Sequence, residues 1–211
     1  MRSIQTIATV ALLSTLVAAG ACSSELDHKP SAKVEDAPAA DAVSPTEVAT
    51  TLALDASTSK VEFVGAKVSG DHRGEFGEPS GSIQLDEAGK VVGMQVQVDT
   101  TALEIAPEKL QQHLSGPDFF DVEKYPTASF KLVSLDGPNR GEFEVKGDLE
   151  LRGITKRISF PAKGTLSKSE VTTSASFKIN RKDFGITYAG MADDLIKDEV
   201  LLELDLEFRA G

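Results

Sequence analysis

Tryptophan is absent from the 211 residues, cysteine occurs once and histidine three times. A lone cysteine excludes an intrachain disulfide, so the fold must rest on its apolar core and its hydrogen bonds. His28, His72 and His113 stand far apart with no ligand-like pairing, so no metal site is expected, and no cofactor either. Basic residues are also scarce: 22 Lys and Arg against 33 Asp and Glu give a formal charge of −11. Such a chain suits neither nucleic acid, whose phosphates need neutralising, nor retention on anionic lipid by charge alone. Missing too are a Gly-x-Ser-x-Gly elbow, a phosphate-cradling glycine loop and a His-Glu-x-x-His pair. No catalytic residue is assigned, and an enzyme is not the expectation.

What is present begins with an export signal. Arg2 supplies a positive start, Ile4 to Val17 is largely apolar, and Ala18-Ala19-Gly20-Ala21 leads into Cys22. The run is too short and too rich in Ala and Thr for a membrane span, so residues 1–21 read as a signal peptide. The junction resembles the bacterial lipobox, with Ala19 where leucine is usual; Cys22 would then be acylated and become the first residue. The alternative is a plain secretory signal with a chance cysteine. Residues 22–50 lack aromatic residues and either apolar period, so they are expected to form a flexible, lipid-anchored tether. By chain statistics it would hold the domain on the order of 30 Å from the lipid. Ser23, in place of the aspartate that retains lipoproteins on the inner membrane, points to the outer membrane of a bacterial envelope.

From residue 51 to 211 the texture changes to period two. In "EFEVKGDLELR" (142–152), Phe143, Val145, Leu149 and Leu151 alternate with charged residues, and "LLELDLEFR" (201–209) and "MQVQVD" (94–99) repeat the pattern. Strict alternation marks antiparallel sheet with one dry and one wet face. Further strands are expected at 60–68, 81–85, 129–135, 156–160 and 173–179. Turns are expected at "DEAGK" (86–90), "DGPNRG" (136–141) and Pro161 to Gly164. About eight strands so spaced predict an all-β domain, a closed or nearly closed barrel or a sandwich.

One helix interrupts them. "APEKLQQHL" has Pro107 at its start and Leu110 and Leu114 four apart, and Gly116-Pro117 stops it. Phe119 and Phe120 follow at once, two large rings in turn-forming surroundings.

Four blocks, "GEFGEPSGSIQLD" (74–86), "HLSGPDFFDVEKYPTASF" (113–130), "VKGDLELRGITKRISFP" (145–161) and "FKINRKDFGI" (177–186), resemble the YceI-like family in order and spacing. The resemblance implies an eight-stranded, lipocalin-like antiparallel barrel enclosing an apolar tunnel, in an exported protein. It implies as ligand a long-chain isoprenoid or a similar lipid, carried or sequestered, without naming the cargo. A structural or interaction module of the envelope, with a packed core and no cargo, is the alternative. The candidate ligand-binding residues are Phe76, His113, Phe119, Phe120, Tyr125, Phe130, Phe177, Arg181 and Phe184. Arg181 and Arg73 are candidates for an anionic head group, against the plainer expectation of exposed arginines paired with Asp183 and Asp71. His113, near the helix end, is equally suited to the helix dipole.

Overall fold

The structure, a computed structural model, describes residues 24–38, 47–192 and 194–210. The signal segment and Cys22 lie outside the described residues. In chain order the strands are β1 (Lys33–Asp36), β2 (Thr50–Leu54), β3 (Lys60–Lys67), β4 (Gly70–Leu85) and β5 (Val91–Ile105). The helix α1 (Glu108–Ser115) precedes β6 (Thr127–Asp136), β7 (Arg140–Leu151), β8 (Ile154–Leu166) and β9 (Glu170–Asn180). A 3-10 turn at Arg181–Phe184, β10 (Gly190–Met191) and β11 (Asp194–Arg209) complete the chain.

Each strand from β3 to β9 pairs antiparallel with the next, helix and turns notwithstanding. β11 closes the circle by pairing with both β9 and β3. The result is an eight-stranded closed barrel, the smallest class whose interior is either filled by side chains or holds one ligand. β2 continues the lane of β3 toward one end, pairing with β4 and β11. Alternation drives the closure: inward positions such as Phe143, Val145, Phe160 and Phe177 are buried, while the residues between them in sequence, such as Glu142, Glu144 and Lys146 of β7, are polar or more exposed. Polar residues outside and apolar ones inside is the reverse of a lipid-spanning barrel.

The sequence expectation and the structure part at three places. Pro161–Gly164, expected as a turn, lies within β8. There β8 changes neighbour, from β1 at Ser159 to β9 at Ala162, and a residue without an N–H is tolerated at such a switch. β4 starts at Gly70, not near 81, because Gly74, Gly77 and Gly81 dilute its apolar alternation.

The third difference concerns the expected tether. Residues 24–36 lie against the barrel. β1 pairs with β8 from Lys33↔Ser159 to Asp36↔Lys156, and the Lys178 N–H donates to Pro30 O while Ala32 N–H donates to Lys178 O of β9. On their mouth-side halves β8 and β9 are not registered with each other, and this segment fills the seam. Ala32 and Val34 pack on the main core. Farther back, Leu26 is 1% exposed in a small cluster with Val64, Ala66 and Leu201 on the outer face of β3 and β11. An ionic network fastens it. Arg73 Nη1 donates to Glu203 Oε2 at 2.6 Å, Arg73 also pairs with Glu25, and Lys29 Nζ reaches Glu203 Oε1 at 3.4 Å. One large apolar residue in a polar stretch carries no period, which is why pattern reading misses it. Burying Leu26 contributes about 1.5–3 kcal/mol against the ordering cost of a few residues.

Candidate functional site

The two barrel ends differ in construction. At one end are the β4–β5, β6–β7 and β8–β9 turns, and there Leu52, Ile83, Leu85, Val171 and Phe208 are almost wholly buried. At the other are α1, the β3–β4 and β7–β8 hairpins and the segment from Arg181 to Asp194. Two chambers open from this second end.

The inner chamber, a cavity of about 150 Å³, is walled by apolar side chains from all around the barrel. Phe76 of β4, Phe130 of β6, Phe160 of β8 and Phe177 of β9 are among them, with valines and leucines of β5, β7 and β11. Phe160 and Phe177 stack at 3.9 Å, and Phe130 lies 5.8 Å from Phe160. The Phe130 ring covers Gly147 of β7: an added Cβ would sit 2.1 Å from its Cζ, so the bare glycine makes room for the ring. Only Ser129, Thr173 and Arg181 interrupt the apolar wall. The outer chamber, about 530 Å³, is the mouth, and α1 contributes Leu110, His113 and Leu114 to it.

Phe119 and Phe120 part company between these chambers. Hydrogen bonds from Phe119 N and Asp121 N to Gly116 O and from Phe120 N to Leu114 O wind the chain tightly after α1. Asp121 adopts φ 52°, in the left-handed region an aspartate tolerates. On the other side Thr100, itself buried, donates through Oγ1 to Tyr125 O at 2.7 Å, tying the loop to β5. Held so, Phe120 turns inward, edge-on to Phe76 at 5.3 Å and to Phe63 at 5.7 Å. It lines both chambers and stands between them. Phe119 stays in the mouth, against His113 at 5.0 Å and Tyr188 at 5.4 Å.

Seven of the nine candidates from the sequence thus border a chamber: Phe76, Phe130 and Phe177 the inner, His113 and Phe119 the outer, Phe120 and Arg181 both. Two do not. Tyr125 lies on the outer side of the loop, its ring packed over Gly153, where φ is 69° and a Cβ would come within 2.7 Å. Phe184 is wholly buried in the 3-10 turn and borders neither chamber. Phe63, Phe160 and Tyr188 border the chambers in addition to those nine. Phe63 and Phe160 carry the period-two signal of their strands, whereas Tyr188 sits in a loop with no pattern.

The arginines also differ from expectation. Arg181 is 3% exposed, not a surface residue. Its guanidinium donates to Ile186 O at 2.8 Å, Lys197 O at 3.0 Å and Ile196 O at 3.4 Å, with Asp198 Oδ1 at 3.2 Å. Burial pulls its pKa below the usual arginine value, and Asp198 opposes this. Four of its five N–H donors serve the protein, so Arg181 acts as a clamp that ties Ile186 to Ile196 and Lys197 beside the mouth. Arg73 is engaged by Glu203, Glu25 and Glu62, and not by Asp71. A third arginine, Arg152, belongs to the same frame. From the two-residue turn Arg152-Gly153 it donates to Gly185 O at 2.7 Å and Pro117 O at 2.6 Å, joining three loops at the open end. Among the described residues no group of three or more His, Cys, Asp or Glu is placed to hold a metal ion.

A closed eight-stranded barrel with a charged exterior and an apolar chamber opening, among the described residues, at one end defines a lipocalin-like class of protein. Within that class the YceI-like domain profile matches residues 52–208, and the chain belongs to that family. A UPF0312 protein of Vibrio cholerae is 31% identical over 125 residues, spanning 56% of this chain and 66% of the relative, just under two thirds. One of Pseudomonas putida is 28% identical over 138 residues, 62% of this chain and 71% of the relative. Among solved structures, BcnA of Burkholderia cenocepacia superposes with a TM-score of 0.65 at 22% identity, covering 73% of this chain and 98% of BcnA. A polyisoprenoid-binding domain from Saccharophagus degradans, implicated in plant cell wall breakdown, gives 0.62 at 19% identity, covering 78% of this chain and all 100% of that domain. At these identities the likeness is one of fold.

Proposed function

We propose that the protein binds one long apolar molecule inside the barrel, as a carrier or sequestering protein exported to the bacterial envelope and anchored through Cys22. The observation that carries this reading is the inner chamber: a wall of aliphatic and phenylalanine side chains, closed at one end and continuous with a mouth at the other. A polyprenyl chain, a quinone tail or a fatty acyl chain matches such a space in chemistry. The Saccharophagus domain, described as polyisoprenoid-binding, supports prenyl lipids first among these.

The driving force is burial. Each Å² of apolar surface removed from water stabilises the complex by roughly 25 cal/mol, and a long chain supplies enough to offset its lost flexibility. The residues divide the work by position. Phe76, Phe130, Phe160 and Phe177 contact the guest; Phe120 stands at the passage between chambers; Arg181 and Arg152 hold the loops that frame the mouth.

Native mass spectrometry of the protein from its host, with organic extraction and lipid analysis, tests this directly. One prenyl or acyl lipid per chain is expected, displaced by Val145→Trp or Ala162→Trp, which fill the inner chamber. A protein that emerges lipid-free and takes up no prenyl lipid from detergent would overturn it in favour of an envelope module with a packed core and no cargo.

A further inference from the structure

The rim of the mouth carries three apolar side chains with nothing packed over them. Val68 is 75% exposed, Met191 70% and Leu195 51%. They belong to two adjoining hairpins: Val68 N–H donates to Leu195 O at 3.2 Å and these two side chains share the outer face, while Met191, registered opposite Asp194, lines the mouth. Asp194 locks the pair, accepting from Lys67 Nζ at 2.6 Å and from Ser69 N–H at 3.0 Å. These bonds hold the apolar groups in place on both faces of the rim, beside the mouth through which a lipid would pass. Exposed apolar groups gathered at a functional opening mark an interaction surface.

The N-terminal segment points to its occupant. Ser24 Oγ donates to Asp71 at 3.1 Å, on the same β3–β4 hairpin whose tip is Val68, and the neighbouring Glu25 and Leu26 are pinned to Arg73 and the outer cluster. Cys22 is two residue steps from Ser24, a reach of at most about 7 Å. An acyl chain on Cys22 would thus enter the bilayer beside the rim, not on the order of 30 Å away as a free tether would allow.

We infer that the open end docks face-on to a lipid bilayer, with Val68, Met191 and Leu195 inserted among the lipids, so that the guest passes between membrane and barrel without crossing water. The inference rests on the lipid-binding reading for its purpose, though not for its measurement. The contact is apolar, as the chain's net charge of −11 offers no attraction to anionic lipid.

The chain has no tryptophan, so one placed on the rim reports alone. In the chain from residue 22 onward carrying Cys22→Ser, which removes both the apolar signal segment and any acyl contribution, Val68→Trp emission should shift blue on phosphatidylcholine vesicles and be quenched by brominated phosphatidylcholine. Val133→Trp, partly exposed in β6 away from the mouth, should respond to neither. By flotation, Met191→Asp with Leu195→Asp should lower vesicle partitioning at least tenfold with unchanged thermal melting, while Val133→Asp should not. Rim emission indifferent to vesicles, or recruitment that needs anionic lipid, would overturn the docking. Vesicle docking by a protein that proves to bind no lipid inside would instead retain this inference and discard the proposed guest.

Discussion

The closed end of the barrel and its open end are made from the same eight strands, yet they are built on opposite rules. At the closed end Leu52, Leu85, Val171 and Phe208 meet at essentially zero exposure, and short turns join the strands. At the open end two short hairpins stand beside a helix, a 3-10 turn and a longer connection, and arginines do the fastening through backbone carbonyls. Apolar packing is non-directional and fills whatever space it is given. Hydrogen bonds from a guanidinium fix loop positions without occupying the space between them. The difference shows how one small barrel keeps a cavity: it consolidates one end and frames the other.

The largest effect should come from breaking the consolidated end. Phe208→Ala should cost about 3–5 kcal/mol in urea denaturation, the usual cost of deleting a fully buried phenyl ring. Lipid stoichiometry in the surviving folded fraction should stay unchanged. Arg181→Ala should cost about 2–4 kcal/mol, since three carbonyl oxygens lose a donor, and Arg181→Lys should not restore it because an ammonium lacks the fork. Hydrogen exchange should show this loss concentrated in residues 186–197. A closed-end pattern of exchange would erase the contrast between the ends.

Phe120→Ala should cost less stability, about 1–2 kcal/mol, because its ring is only partly buried between two chambers. It should shorten guest residence several-fold in a transfer assay while leaving Phe119→Ala the weaker variant. The smallest effect is on the N-terminal segment. Glu203 resists ionisation through burial, but the hydrogen bond from Arg73, aided by Ser176, holds its carboxyl below its ordinary value of 4.5. A lowered carboxylate stabilises above its unfolded pKa, and the contribution is lost as pH falls through the folded one. Exchange protection near Leu26 should therefore hold at neutral pH and fall below the ordinary carboxylate range, before the barrel itself unfolds.

Much of this molecule is legible in the alternation of its strands. Phe143, Val145 and Leu149 declare an inner face, and a barrel's worth of such strands declares the barrel. The helix announces itself through Pro107, Leu110, Leu114 and Gly116. Legibility fails where the work is done singly. Arg181 looks like any surface arginine until the loop that it clamps is folded around it. Leu26 has no apolar neighbour in sequence, only in space. Phe184 and Phe177 look alike in the chain, yet one fills a turn and the other lines the chamber, because only the strand's register decides which way a ring points.

The seam between β8 and β9 carries one more consequence. The family domain begins at residue 52, yet the segment that fills this seam ends at Asp36. A chain cut at the domain boundary would bare two facing strand edges, each with unpaired N–H and C=O groups, and such edges recruit strands from other molecules. The intact chain plugs its own slot; the trimmed one is an acceptor for any neighbour's free strand, and self-association is its predictable fate.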